Sequence, residues 1–227
     1  MARKRYRRTR KKQKKSRKLG LLVTIFLLLA AYLYLRYVNS PTQSANPITE
    51  AGVLARTERH YGKEVDQNAA AFNLPAPYFK ALIVLECSGR KHFEPRFEPR
   101  VYEKLKAVRD GRLNHYNHIK RRQIKDASDA ALKNLASSWG PFQLMGYQCM
   151  NMGINVQDIR GDKAIYWGIK WIDKRYGRQL RRGEYRDCFH IHNTGRPFPA
   201  TGYSLTHDPE YVNNGMKYLQ YFQGKER

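Results

Sequence analysis

The chain has 227 residues, of which 41% are apolar, and a formal net charge of +24. That length allows one sizeable domain plus appendages, and the apolar share suffices for a packed core, so a globally disordered chain is excluded. The charge alone would point to nucleic acid, but twelve of the 43 Lys and Arg lie in residues 1–18, which hold no acid. Removing them leaves +12, a surplus that suits any polyanion, whether phosphate-rich nucleic acid, lipid headgroups or anionic wall polymers.

The basic stretch 1–18 runs into LGLLVTIFLLLAAYLYLRYV, residues 19–38, in which only Arg36 is charged. Twenty residues rise ~30 Å as a helix, about one hydrocarbon thickness. Lys and Arg on its N-terminal side place the tail in the cytoplasm by the positive-inside rule, and the rest of the chain beyond the membrane. A cleaved signal peptide would have a shorter apolar run and a small-x-small site after it. A buried core helix would show a polar face. The expectation is therefore a single-pass signal-anchor at 19–38, a polar spacer at 39–47 with Pro41 and Pro47, and an extracytoplasmic domain from 48 to 227. The basic tail, directly before a span, reads as topogenic and lipid-binding, and no nucleic acid is expected as partner.

Within that domain the signals are mainly helical, and no alternating strand pair with an Asn-Gly or Asp-Gly turn stands out. A first helix, PYFKALIVLE, is entered through Asn73, Pro75 and Pro77 and stopped by Ser88-Gly89. Phe79, Leu82, Ile83 and Glu86 share one stripe at spacings of three and four, which puts a carboxyl group at the end of an apolar surface. Burial there favours the neutral acid. Residues 93–100 form a tandem FEPRFEPR, too short for a solenoid repeat, and Pro99 opens a helix through Leu105. The basic stretch 115–125 reads as a solvated loop or helix face.

Further helices are expected at about 129–136, at 162 to about 176, and around 185–190. The last has Asp208 as N-cap, Pro209 at its first position and Gly224 beyond its end, with Tyr211, Gly215, Tyr218, Leu219 and Phe222 inward. Cys87, Cys149 and Cys188 lack CxxC or Cys/His spacing, so no metal or other cofactor is implied. In an oxidising space they would make one disulfide plus a free thiol, or else they are three small buried residues.

Three segments have the residue types that cleavage of a sugar polymer needs. They are the acid at the helix end in Glu86-Cys87-Ser88-Gly89, the loop Ser137-Ser138-Trp139-Gly140-Pro141-Phe142-Gln143-Leu144-Met145-Gly146, and an Asn-Gly turn in His192-Asn193-Thr194-Gly195. In this order they resemble the lysozyme-like superfamily of lytic transglycosylases and N-acetylmuramidases (SLT-like), over about residues 74–222. The likeness is closest to the N-acetylmuramidase pattern, with its ESGG-like helix end, FE dipeptide (here Phe97-Glu98) and ASWGxxQIMG segment.

The resemblance implies a mainly α, lysozyme-like domain behind one N-terminal transmembrane helix. Its partners would be peptidoglycan glycan strands, the inner membrane and an envelope-spanning apparatus. Glu86 would be the general acid for the bond between N-acetylmuramic acid and N-acetylglucosamine. Glu98 would be the candidate second carboxylate, with an N-cap or salt-bridge role before Pro99 as its other reading. Ser88, Trp139, Gly140, Gln143, Met145, His192, Asn193 and Gly195 would line the substrate groove; Phe142 reads as core. His192 stands where the family pattern has tyrosine, and an imidazole there is expected to titrate near neutrality. Hydrolysis normally needs two carboxylates, whereas a transglycosylase works with one, so both reactions stay open. The alternative function is a noncatalytic peptidoglycan-binding scaffold with a degenerate groove.

Overall fold

The computed structural model describes residues 49–91 and 94–225. The expected cytoplasmic tail, membrane span and linker lie outside them. Among the described residues no helix is long and apolar enough to cross a membrane.

The domain is mainly helical. Its elements run α1 (Glu50–Ala71), α2 (Ala76–Cys87), β1 (Arg96–Phe97), α3 (Pro99–Arg109), β2 (His115–Tyr116), β3 (Ile119–Lys120), α4 (Arg121–Ile124) and α5 (Asp129–Leu135). There follow β4 (Ser137–Trp139), β5 (Leu144–Met145), α6 (Gln148–Met152), α7 (Val156–Arg160), α8 (Ala164–Arg181), α9 (Tyr185–Thr194) and α10 (Tyr211–Lys225).

Helix α2 is the axis of the larger core. Its residues from Pro77 to Val84 are all buried, with Tyr78, Phe79, Ala81, Leu82 and Ile83 fully so. The expected one-sided stripe is thus a helix buried on every side, because α1, α10 and the aromatic residues of α8 and α9 surround it. Truncating Leu82 to Ala would cost roughly 2–5 kcal/mol. One charge lies inside this packing. The Lys80 ammonium, 7% exposed, reaches Glu58 at 3.0 Å and Asp66 at 2.8 Å, both on α1. Paired in this way it tolerates burial, and its two carboxylates hold its pKa above the usual lysine value against desolvation.

A smaller core of Leu105, Val108, Ile119, Ile124, Leu132, Ala136 and Tyr147 ties α3, α4 and α5 to the strands. The three-stranded sheet has the order β1-β4-β5, antiparallel, with Arg96 opposite Ser138 and Trp139 opposite Leu144. The stretch 115–125, expected as loop or helix face, is a β2–β3 hairpin followed by α4. Asn117 and His118 form its turn with φ of 45° and 69°. That is the paired left-handed geometry of a two-residue hairpin, with histidine in place of the usual glycine.

Other boundaries differ from expectation for local reasons. Helix α8 continues past Tyr176 to Arg181 across a kink, where Tyr176 has φ −149° and ψ 22°. Helix α9 runs on to Thr194, so His192-Asn193-Thr194 is a helical last turn rather than a free turn, and Gly195 at φ 78° is its left-handed cap. The Asp208 carboxylate accepts from the Glu210 amide at 2.9 Å, but α10 begins at Tyr211 and contains Gly224. The three cysteines are separately buried free thiols, so the disulfide reading is not what the fold adopts. Burial pushes Cys87 up to about 11 and Cys149 and Cys188 up to about 12, which leaves them protonated and unreactive at neutral pH.

Candidate active site

Glu86 sits one residue from the end of α2, and the chain leaves that helix through Ser88 at φ 52° and Gly89 at φ 66°. Helix α1 clamps this exit. The Arg56 guanidinium donates to the Ser88 carbonyl at 3.0 and 2.7 Å. His60 Nδ1 lies 2.8 Å from the Gly89 carbonyl, and the Tyr61 hydroxyl donates to the Arg90 carbonyl at 2.5 Å. Three consecutive carbonyls are therefore satisfied by residues on one face of α1. A Cβ on Gly89 would stand 2.3 Å from Thr57 Oγ1 and 2.9 Å from the Thr57 amide, so the close approach requires glycine here. Ser88 contributes its carbonyl to this clamp, and its hydroxyl makes no hydrogen bond to Glu86 among the described residues.

The Glu86 side chain is 16% exposed. Desolvation raises its pKa to about 7, against a hydrogen bond from Tyr211 and the positive charge of Arg96, both of which lower it. The Tyr211 hydroxyl donates to Glu86 Oε1. Oε2 has no hydrogen-bond partner among the described residues and is left to carry the proton. Burial and the neighbouring carboxylate together hold the Tyr211 phenol well above its ordinary pKa, so it stays a donor. Tyr211 was expected only as a core residue of the last helix. Nothing in its local sequence marks it, since the partner is 125 positions away.

His192 stands beside the acid, with Nε2 3.8 Å from Glu86 Oε1, beyond hydrogen-bond range. Its own hydrogen bonds fix its tautomer. Nε2 lies 3.1 Å from the Phe142 carbonyl, which can only accept, so Nε2 carries the hydrogen. Nδ1 must then accept from the Tyr176 hydroxyl at 2.8 Å, and Tyr176 in turn accepts from Tyr78 at 3.2 Å. The result is a directed chain from Tyr78 through Tyr176 and His192 to the backbone at Phe142. The kink at Tyr176 accompanies this contact. The expectation that His192 titrates near neutrality is overturned: desolvation pushes it down to about 4, with the Phe142 carbonyl only partly opposing, because the ring is buried and already hydrogen-bonded at both nitrogens.

The loop between β4 and β5 meets His192 through the Phe142 carbonyl. Gly140 has φ 72°, and a Cβ there would stand 2.2 Å from the Ile159 carbonyl. Its role is therefore close packing on α7 as well as the turn. Gln143 adopts φ 48°, unusual for a residue with a side chain. Its amide Nε2 donates to the Gly140 carbonyl at 3.1 Å, and Oε1 accepts from the Ser138 hydroxyl at 2.8 Å. One N–H and one lone pair remain for a ligand. Phe142 is fully buried, the core ring it was expected to be.

Gln143, Met145, His192, Asn193 and Gly195 line one groove of about 360 Å³, together with Trp171. Trp139 is not among them. Its indole N–H donates to the Asn134 carbonyl at 2.8 Å and its ring lies under the Arg160 guanidinium at 5.2 Å, in a second pocket on the other side of the loop that Gly140 also lines. Glu98 is likewise set apart. Its backbone caps α3, and its carboxylate pairs with Arg96 at 2.9 Å. This is the capping and salt-bridge role that its place before Pro99 allowed.

The site thus holds one buried carboxylic acid with a phenol donor, one neutral imidazole, and a groove with unused amide valences. A carboxyl poised to release a proton near pH 7 is suited to general acid catalysis. Compared with known proteins, the chain matches no family model, no curated protein and no solved structure.

Proposed function

We propose that this chain is a peptidoglycan-cleaving enzyme of the lysozyme-like superfamily. It breaks the β-1,4 bond between N-acetylmuramic acid and N-acetylglucosamine, with Glu86 as general acid. The observation that carries the reading is the Glu86 carboxyl group, buried at a core-helix end, raised to about 7 and left with one oxygen unbonded. The segment order of the sequence resemblance supplies the substrate. The apolar run at 19–38 with its basic flank supports a tether in the bacterial inner membrane and a domain in the periplasm. A tether limits reach, which fits local opening of the wall for an envelope-spanning apparatus.

Of the two reactions, lytic transglycosylation is favoured. Glu98 pairs with Arg96 and does not line the groove, so no second carboxylate is placed there to act as base or nucleophile. With one working carboxyl, Glu86 gives its proton to the glycosidic oxygen as the C1–O bond breaks, and the muramyl N-acetyl oxygen supports C1. The resulting Glu86 carboxylate takes the proton of the 6-hydroxyl as that oxygen closes on C1, giving a 1,6-anhydro end and regenerating the acid. No water is consumed.

The test is digestion of purified sacculi by the full chain in detergent, with mass spectrometry of the released fragments. Anhydro ends from the wild type and none from Glu86→Gln are expected. Reducing ends would assign hydrolysis and return a second carboxylate to the mechanism. Binding without release by the wild type would replace the enzyme with a noncatalytic wall-binding scaffold. Equal release by Glu86→Gln would remove Glu86 from the chemistry.

A further inference from the structure

The second pocket, of about 840 Å³, has a charge pattern that the cleavage reaction does not use. Arg90, Lys91 and Arg160 face it with three positive charges, and Glu64, Glu94 and Asp162 with three negative ones. Among the described residues none of these six makes an ion pair, although each sign is present in equal number around one opening. Glu64 is partly desolvated and feels Asp162 as a like charge, with Lys91 opposing. The Arg160 guanidinium is held over the Trp139 ring and braced by Gln157 at 2.7 Å, so it is positioned before any ligand arrives.

Such a wall discriminates by charge. A polyanion would meet Glu64, Glu94 and Asp162, and a polycation would meet Arg90, Lys91 and Arg160. A neutral glycan would leave all six without partners. The complementary ligand carries both signs on one short backbone.

Arg90 follows Glu86 by four residues, and the β4–β5 loop separates the two openings, with Trp139, Gly140 and Pro141 toward the charged pocket and Gln143, Leu144 and Met145 toward the groove. We propose that the charged pocket binds the peptide stem of the muramyl residue, a zwitterionic peptide with a free amine and free carboxylates, while the glycan lies in the groove. The proposal rests on the peptidoglycan reading and adds a specificity: the chain cleaves peptide-bearing strands in preference to bare ones.

The test uses the full chain in detergent, with a synthetic stem tetrapeptide lacking sugar as the binding probe. Two glycans are compared, intact sacculi and strands stripped of peptide by an amidase. The wild type is expected to bind the tetrapeptide saturably by calorimetry, and to show a KM at least several-fold lower on peptide-bearing glycan with kcat little changed. Arg90→Gln combined with Arg160→Gln should weaken peptide binding at least tenfold and erase the KM difference, as should Glu64→Gln combined with Asp162→Asn. Glu86→Gln should bind the peptide as the wild type does. Unchanged melting temperatures of the charge variants keep a folding defect separate from a lost contact.

Absence of saturable binding, binding indifferent to both pairs of substitutions, or equal KM on the two glycans overturns the stem site. If sacculi are cleaved with Glu86 dependence and the peptide does not bind, this inference falls alone. If the peptide binds and no glycan is cleaved, the enzymatic reading falls and the peptide site stands.

Discussion

The Tyr211 hydroxyl, on the first turn of α10, donates to Glu86 Oε1 at the end of α2, joining two helices that are 125 residues apart in the chain. The bond serves two ends. It occupies one carboxylate oxygen so that the other is left to carry the proton, and it stabilises the ionised form that remains after proton transfer. Without Tyr211 the buried carboxyl would be more reluctant to ionise.

Removing that phenol gives the first prediction. The hydrogen bond lowers the Glu86 pKa against desolvation, so Tyr211→Phe should raise it above about 7. The alkaline limb of the pH–rate profile should move to higher pH while kcat falls about 10-fold or more, because the anion formed in the reaction loses its donor. An alkaline limb that stays in place, with only stability reduced, would make Tyr211 a packing residue.

A second prediction concerns stability and pH. Glu86 ordinarily ionises near 4.5 and here near 7. Between those values the folded state keeps a proton that the unfolded chain releases, so stability declines as pH rises from about 4.5 through 7. Glu86→Gln removes the group and should remove this decline. The variant should gain up to roughly 3 kcal/mol over the wild type at pH 8 relative to the difference at pH 4. Urea unfolding at the two pH values measures it, and equal differences would show that the carboxyl is not desolvated in solution. Activity should follow the same ionisation and fall as pH rises through about 7.

His192 yields a prediction of opposite sign. Its pKa is depressed to about 4 from an ordinary 6.5, so the neutral ring contributes stability that is complete above about 6.5 and is lost as pH falls through about 4. Nitrogen chemical shifts of the ring should show the Nε2–H tautomer unchanged from pH 8 to pH 5.5. Tyr176→Phe removes the donor to Nδ1 and should cost about 1–2 kcal/mol, with the Nε2–H tautomer kept by the Phe142 carbonyl. Titration of His192 near 6.5 in the wild type would break the chain of hydrogen bonds drawn from Tyr78 to Phe142.

Much of this site was legible because its signals are local. Glu86 at the end of an apolar run, the helix stop at Ser88-Gly89 and the glycine at 140 are read from neighbours three or four residues away, and periodicity and turn chemistry report on that range. What escaped was made by distant contacts. Tyr211 looks like any inward aromatic until α10 is laid against α2. An imidazole in HNTG reads as one that titrates near its solution value, because its burial beside Tyr176 and Phe142 is invisible in that segment. Helix α1, which clamps the acid's helix end, has no local signal that sets it apart, since its buried face mixes Val53, Leu54 and Val65 with Thr57, Tyr61 and Gly62 and its polar residues are what do the clamping. Glu98 shows the converse: an FE dipeptide marks an acid, but only the fold shows it turned to Arg96.

The clamp supplies the last prediction. Gly89→Ala forces a Cβ to within 2.9 Å of the Thr57 backbone amide at a φ of 66°, where a side chain is strained in any case. Backbone cannot yield as a flexible side chain would, so the exit of α2 must move away from α1. A stability loss of about 2–4 kcal/mol is expected, with activity lost even where the protein remains folded, because Glu86 rides on that exit. Arg56→Gln separates the two effects. It withdraws the two guanidinium bonds to the Ser88 carbonyl without any clash, and should cost less stability, about 1–3 kcal/mol, while still lowering kcat more than it changes KM. Full kcat in Arg56→Gln would show that the helix end holds Glu86 in place without α1.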